Sequence, residues 1–185
     1  MTARKPLVLI SGSLQELPST DSITTNGSDI TLVTAQATTS GTAWDFTNIP
    51  SWVNRITVML ASCKESASSI FVVRIGSGSI DTTATYETTA TSSGSGGNVT
   101  SGSTTATSFY LSGNNNSTYA NSGDVYLTRQ SGNTWTISGS LSQNGVASTA
   151  IGGVKTLSGA LDRVRLTTST GTDTGTNGSV SISYE

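Results

Sequence analysis

Histidine is absent from the 185-residue chain, and cysteine, proline and charged residues are scarce. Without histidine, the commonest general base and metal ligand is missing, and with it the usual serine and cysteine triads. The single cysteine, Cys63, excludes an intramolecular disulfide and is expected to be a small buried hydrophobe. Charged residues make up 11% of the chain and its net charge is −2, so we expect neither nucleic acid nor an anionic membrane as its main partner.

Long hydrophobic runs are also missing. No stretch approaches the roughly 20 apolar residues that a membrane-spanning helix needs. The N-terminal apolar run, residues 6–10, is shorter than the ~7–15 residues of a signal-peptide core, and the polar residues 11–13 follow it at once. We therefore expect no membrane association and no export by a visible signal.

The sequence instead alternates apolar and polar residues in many short segments. Near the C-terminus, Val180, Ile182 and Tyr184 occupy every second position between serines. This period of two is typical of strands with one buried and one solvated face. Many such segments at roughly ten-residue spacing predict an all-β fold, an antiparallel β-sandwich or barrel. Eight or so strands after Trp44 favour a jelly roll, which the pattern alone does not separate from other sandwich topologies.

Three further features refine this prediction. Asn144-Gly145 is typical of a tight hairpin turn between two strands. The low-complexity stretch Ala90–Thr107 has almost nothing apolar to bury, so we expect a long exposed loop there. Large apolar residues of the strongest segments should define the core. These residues are Trp44, Phe46, Trp52, Ile56, Val58, Leu60 and Trp135.

The first 28 residues differ from the rest of the chain. They hold only short apolar pieces between glycine and proline, and residues 7–10 are apolar at consecutive positions, so both faces need burial. We therefore predict an extended N-terminal docking arm over residues 1–28 and a sandwich domain over residues 29–185. The alternative is that residues 7–10 form the first strand of the sandwich. The residues expected to dock are Lys5, Pro6, Leu7, Val8, Leu9, Ile10, Leu14 and Leu17.

Residues that carry chemistry are few, and we expect no catalytic, cofactor-binding or metal site. Asp45, Asp81 and Glu87 could meet as a glycosidase carboxylate pair, but dispersed carboxylates on a sandwich are more often loop caps and surface charges. Asp124 and Asp173 could hold a hard cation through oxygen ligands, although no known ligand spacing surrounds them. An enzyme is therefore the disfavoured alternative.

Arg163 and Arg165 lie two positions apart and should share one face of a strand. One interpretation is an interface between identical subunits, where arginine is enriched. The other is a solvated face with carboxylate partners such as Asp162. The sequence leaves both interpretations open.

The most distinctive stretch is WDFTNIPSWVNRITVML, residues 44–60. It resembles a W-D-F-x-x-I-P-x-W-x-x-R-I-T-V-M segment of small β-sandwich domains in virion proteins of tailed bacteriophages, both tail-fibre and head-surface proteins. The opening RKPLVLISGSLQELPSTD, from Arg4, is similar to the start of many phage structural proteins, in which a short arm precedes such a domain.

The resemblance implies an assembled virion component that is often a homotrimer, located at the virion surface after assembly in the host cytoplasm. Two roles fit it. The protein decorates and cements the capsid, with its arm on the major capsid protein and no cofactor. Alternatively, it is a short fibre on a tail protein that binds a host surface glycan. Tyrosines would then stack on the sugar, and the candidates are Tyr86, Tyr110, Tyr119 and Tyr126. The chain has no segment suited to a fibre shaft, which favours capsid decoration.

Overall fold

The alternating segments form strands, and no helix occurs in the part of the chain that the structure describes, which is residues 7–10, 13–16, 30–95, 97–113 and 117–185. The structure is a computed structural model. Its strands are β1 (Leu7–Ile10), β2 (Ser13–Glu16), β3 (Thr31–Leu32), β4 (Gln36–Ala37), β5 (Ala43–Thr47), β6 (Arg55–Glu65), β7 (Phe71–Ser77), β8 (Ser79–Ile80), β9 (Tyr86–Gly94), β10 (Gly97–Ala106), β11 (Phe109–Tyr110), β12 (Asn121–Ser131), β13 (Thr134–Gln143), β14 (Ala147–Thr156), β15 (Arg163–Thr168) and β16 (Gly175–Tyr184). The predicted all-β class is confirmed.

Two antiparallel sheets pack face to face as a β-sandwich. The large sheet has nine strands in the order β10-β9-β14-β13-β12-β6-β16-β3, with β4 also paired to β16. The small sheet has five strands in the order β11-β7-β15-β5, with β8 paired to β7. Strands β1 and β2 pair with each other as a separate two-stranded sheet, in which Leu9 lies opposite Leu14.

The core lies between the two sheets because the apolar residues of each strand face inward. Ile56 and Val58 of β6 are fully buried, and so are Val164 and Leu166 of β15 on the opposite sheet. The Trp44 and Phe71 rings lie 6.1 Å apart at one end of this core. Six of the seven predicted core residues are buried, namely Trp44, Phe46, Ile56, Val58, Leu60 and Trp135.

Trp52 was predicted in the core, and this prediction is wrong. Its side chain is 52% exposed and contacts Tyr184 edge-on, with ring centroids 6.0 Å apart. The neighbouring Val53 fills the core position instead, because its N–H donates to the carbonyl of Pro50 and the resulting turn directs Val53 inward. The turn thus places consecutive side chains on opposite sides of the backbone.

The low-complexity stretch is also not a loop. Residues 86–94 and 97–106 form the β9–β10 hairpin at one edge of the large sheet, with Thr91 opposite Thr100. Their hydroxyl groups lie 3.0 Å apart. Threonine favours strands even where there is little to bury, and β9 gains partners on both sides because it also pairs with β14. Backbone pairing therefore outweighs the shortage of apolar side chains.

The predicted turn at Asn144-Gly145 joins β13 to β14. Both residues have positive φ values, 49° and 72°, as the two central residues of a tight hairpin turn require. Segment 30–37, which alternates in sequence, forms only the short edge strands β3 and β4. The boundary predicted between residues 28 and 29 lies outside the described residues and stays a prediction.

Candidate functional site

The two arginines of β15 lie on the outer face of the small sheet, where each forms a bidentate ion pair. Arg165 donates to both carboxylate oxygens of Asp45, at 2.6 and 2.7 Å. Arg163 donates to both oxygens of Asp162, at 2.7 and 3.0 Å, and this pairing lowers the pKa of Asp162. Both guanidinium groups therefore have partners within the chain, which fits a solvated face. The alternative, a subunit interface, stays a prediction.

Arg74 of β7 stands beside Arg165 in register. Among the described residues it has no carboxylate within ion-pair distance, and its buried Nε has no hydrogen-bond acceptor. Three arginines and two aspartates thus share this face, which leaves one positive charge without a neutralising side chain.

A second charged group lies at the edge of the core, around Lys155 of β14. The Lys155 side chain is 1% exposed, and its Nζ lies 2.8 Å from a carboxylate oxygen of Asp81 and 2.8 Å from the hydroxyl of Thr83. It also bonds the Thr85 hydroxyl and lies 4.5 Å from the centre of the Tyr86 ring. Burial opposes ionisation of Asp81, but hydrogen bonds from Lys155 and Thr83 outweigh it and lower the pKa of Asp81. All three ammonium protons have acceptors. These bonds connect residues 81–85, which follow β8, to β14.

The structure therefore assigns different partners to the carboxylates that could have formed a glycosidase pair. Asp45 pairs with Arg165 and Asp81 pairs with Lys155. Glu87 is exposed on β9, next to the buried Tyr86.

Glu65, which sequence reasoning missed, is a buried acid. It ends β6 with 3% of its surface exposed, and its Oε2 has no hydrogen-bond partner among the described residues. Burial raises its pKa to about 7, and the nearby carboxylate of Asp173 acts in the same direction. In the sequence, the sign that Glu65 is buried is its position two residues after Cys63, because residues two apart on a strand share one face. No group of three or more potential metal-ligating Cys, Asp or Glu side chains occurs in the described part of the chain.

The tyrosines proposed for sugar stacking have different surroundings. Tyr86 is fully buried and its hydroxyl accepts from the N–H of Ile75, so Tyr86 is unavailable to a ligand. Tyr126 lies under the guanidinium of Arg55, 4.8 Å from the ring centre, and Tyr110 packs against the core. Tyr119 alone among the four lines a described pocket.

Exposed apolar side chains gather at two ends of the large sheet. The first group, called the Trp52 patch here, lies at the end of the sheet where β6 begins and has two parts. Ile30 and Leu32 are exposed on the outer face, and Trp52 is exposed against Tyr184, which projects from the inner face. A cavity of about 130 Å³ lies beside it, lined by Ile30, Arg55 and Tyr184 among others. The second group, called the hairpin patch, consists of Val99, Val146 and Tyr119, which line a pocket of about 200 Å³.

Strand register places these patches at opposite ends. Tyr184 lies opposite Ile56 at the beginning of β6. Near the end of β6, Cys63 lies opposite Asn121, which is opposite Gln143 on the following strand. Val146 donates its N–H to the carbonyl of Gln143 in the β13–β14 turn. The length of β6 therefore separates the two patches.

The predicted docking arm is described only as the strands β1 and β2. The side chains of residues 7–10 and 14, and all of Lys5, Pro6 and Leu17, lie outside the described residues. The described residues contain no helix with the length and hydrophobicity to cross a membrane.

Fold and side chains together define an all-β sandwich protein with charge pairs on one outer face and two apolar patches at its ends. No protein-family model matches the sequence, and neither a curated protein nor a solved structure matches it.

Proposed function

We propose that the chain is a non-enzymatic structural protein of a tailed-phage virion. Its N-terminal segment, residues 1–28, docks on the major capsid protein, and the sandwich decorates and cements the capsid surface as a homotrimer. The observation that carries the proposal is the pairing of β1 and β2. These strands form their own two-stranded sheet and, among the strands described, belong to neither sandwich sheet. A two-stranded sheet by itself is at best marginally stable in water, so one that contains an apolar strand such as residues 7–10 favours a partner surface.

The order of the strands supports this role. Eight strands of the two sandwich sheets remain when β3 and β4 are counted as one and the strands β8, β9, β10, β13 and β14 are set aside. Numbered again from 1 to 8 in chain order, these strands lie in the order 1-8-3-6 in the large sheet and 2-7-4-5 in the small sheet. This interleaving, in which every consecutive pair of the eight except β7 and β11 lies in different sheets, supports the predicted jelly roll, an architecture found in viral capsid and lectin domains.

The outer face of the large sheet supports an outward orientation. Its residues are mostly small and hydroxylated, for example Ser138, Ser140 and Ser142 on β13 and Thr89 on β9, and all four are exposed. Such a face is stably solvated and offers few apolar contacts. A sandwich of this kind tolerates exposure on the surface of a particle.

Deletion of residues 1–18 tests the proposal. We expect the shortened protein to keep the circular dichroism spectrum of a folded sandwich. It should no longer sediment together with purified virions, because the docking strands are gone. Particles lacking the chain should take up the full-length protein and not the shortened one. Uptake of the shortened protein at full-length occupancy would contradict the proposal.

A short tail fibre that binds a host glycan is the second candidate, and Tyr119 favours it. This tyrosine lines the pocket of the hairpin patch with Val99 and Val146, at the end of the sandwich away from Ile30. An aromatic ring beside hydroxyl groups is suited to sugar stacking. Gel densitometry of virions separates the roles. A copy number comparable to that of the major capsid protein supports decoration, and a small multiple of three supports the fibre.

A further inference from the structure

We propose that β10 is an edge through which two copies of the chain associate. Their β10 strands pair antiparallel about a two-fold axis, with Thr100 of one copy opposite Thr100 of the other, and the two large sheets become continuous. This inference goes beyond the proposed function, because it concerns a contact between copies and does not depend on what the N-terminal segment binds.

The first observation is the length of this edge. Strand β10 is the last strand of the large sheet and, among the described strands, pairs only with β9. It has ten residues, of which only Ala106 at its end is buried. The other short strands at sheet margins, β3, β4, β8 and β11, have two residues each. The five-residue edge β5 is partly capped, because the Gln36 amide donates to the carbonyl of Asp45 at 2.7 Å.

The second observation is that β10 lacks the features that usually keep an edge from pairing. Natural proteins protect long edges with charged side chains, proline, bulges or a covering segment. Residues 88–123 contain no charged residue and no proline. A register shift lies between Ser103 and Ala106, at the end of the strand, and residues 97–103 pair regularly with β9. The regular part of the edge is therefore open to a further strand.

The register identifies the backbone groups that a further strand would meet. The β9–β10 hairpin closes at the pair Gly94 and Gly97, and a pair beside a two-residue turn is hydrogen-bonded. Hydrogen-bonded and non-hydrogen-bonded pairs alternate along antiparallel strands, so every second residue after Gly97 directs its N–H and C=O to β9. The residues between them direct these groups outward, and they are Asn98, Thr100 and Gly102.

An identical strand fits these three residues. With Thr100 on a two-fold axis, Asn98 lies opposite Gly102 of the second copy, and all three outward residues take part in the pairing. Val99, which is 47% exposed, then lies opposite Ser101 of the second copy and is partly covered. The register shift near Ser103 lies outside this paired segment.

The absence of charge on this edge selects a second copy over a foreign strand. In a two-fold contact, a charged side chain near the axis meets its own counterpart, and like charges opposite each other destabilise a strand pair. Strand β10 carries no charged residue, so nothing on it opposes its own copy. A foreign strand is usually selected by complementary charges, for which this edge offers no partner.

Sedimentation equilibrium of the full-length protein, from low micromolar to millimolar concentration, measures the association. Because one strand pair buries less area than a standard interface, we expect a reversible doubling of mass within this range. Thr100→Lys should raise the dissociation constant at least about tenfold, because two lysines meet at the axis. The control Ser140→Lys adds the same charge in the same row of the outer face, on β13, and should leave the constant unchanged.

Thr100→Pro separates strand pairing from charge repulsion. Proline removes the outward N–H of residue 100 and leaves the hydrogen bonds to β9 in place, as on natural edge strands. We expect this variant to weaken the association as Thr100→Lys does. Thermal melting checks that every variant is folded.

Thr100→Cys tests the register. The Cα atoms of a hydrogen-bonded antiparallel pair lie about 5.5 Å apart. This distance is within the roughly 4.4–6.8 Å that a disulfide spans. We expect mild oxidation to link two copies of Thr100→Cys and not two copies of Ser140→Cys. The native Cys63 is buried in both variants.

Three results would overturn the inference. The first is a wild-type protein whose mass never doubles, whether its smallest species is a monomer or the proposed homotrimer. The second is an association that Thr100→Lys and Thr100→Pro leave unchanged. The third is slow hydrogen exchange of the Thr100 amide in the unassociated protein, which would show that the chain's own N-terminal segment occupies the edge. None of these results alters binding to virions, which tests the proposed function separately.

Discussion

At the scale of single residues, burial decides how the charged groups behave. Lys155 and Glu65 are both nearly inaccessible, at 2% and 3% exposure. Lys155 has a carboxylate, two hydroxyls and an aromatic ring around its ammonium group, so its charge is compensated where it lies. Glu65 has an oxygen without a described partner and the carboxylate of Asp173 nearby. Of the two, only Glu65 opposes folding when it is ionised.

Glu65 should therefore make stability depend on pH. Its pKa rises from an ordinary value of 4.5 to about 7 on folding, so the folded state binds more protons between these values and loses stability as the pH rises. Well above pH 7 the loss of folding free energy from this carboxylate reaches at most about 3.5 kcal/mol, at roughly 1.4 kcal/mol per pKa unit. We expect the free energy of unfolding of Glu65→Gln, taken relative to wild type, to be higher at pH 8 than at pH 4. Urea unfolding at both pH values measures this difference.

The exposed carboxylate Glu87 provides the control for this measurement. Glu87→Gln carries the same chemical change on the solvated face of β9, and we expect a similar, small effect on the free energy of unfolding at both pH values. An effect of Glu65→Gln that is equal at pH 4 and pH 8 would show that the charge of this side chain has no role in stability.

At the scale of secondary structure elements, the turns fix the register of the long strands. The β13–β14 pair extends without a shift from Thr134 opposite Thr156 to Gln143 opposite Ala147. The turn that closes it has two residues with positive φ, which only a few residue types adopt easily. A register shift of one residue would turn Leu141 and Ile151 from the core to solvent, so the turn protects the burial of both strands.

Gly145→Ala tests the turn. The alanine would have to adopt the φ of 72°, a left-handed conformation that costs roughly 1–2 kcal/mol for a residue with a Cβ. The control is Gly152→Ala on β14, where φ is ordinary and an added Cβ meets no atom within 4 Å. We expect Gly145→Ala to lower the free energy of unfolding by about 1 kcal/mol and Gly152→Ala to leave it unchanged or raise it slightly. Equal losses for both variants would contradict the strained turn.

At the scale of the whole molecule, one hydrophobic cluster joins both sheets. It includes Phe46 and Leu166 from the small sheet and Ile56, Leu127 and Trp135 from the large one. Because neither sheet can bury its inner face without the other, the two should unfold together. A stable intermediate that retains only one sheet is not expected.

Two spectroscopic probes test this cooperativity. The buried Trp44 and Trp135 report on opposite sheets through fluorescence, and far-ultraviolet circular dichroism reports on total strand content. We expect the two urea transitions to coincide. The half-exposed Trp52 adds a signal of its own, and Trp52→Phe removes it as a control. A fluorescence transition that precedes the loss of dichroism would show that the sheets separate first.

The period of two predicted both the fold class and the core, because a strand directs alternate side chains to one face whatever its neighbours are. It failed at Trp52, where a turn interrupts the alternation, and at residues 90–107, where strand pairing rather than apolar burial forms the hairpin. For the candidate site, the shared face of Arg163 and Arg165 followed from their spacing. Their partners differ in distance along the chain. Asp162 is adjacent to Arg163, whereas Asp45 lies 120 positions from Arg165, so only the first pair could be read from neighbouring residues.

The sequence by itself determined most of the strands, their inward faces and the turn at Asn144-Gly145, since each depends on residues that are neighbours in the chain. Only the tertiary structure decided which strands lie side by side, that Lys155 meets Asp81, that Glu65 is buried, and that Trp52 remains exposed. The physical reason is distance along the chain. Pairings such as β6 with β16 join residues more than a hundred positions apart, and their energies depend on the whole fold rather than on a local pattern.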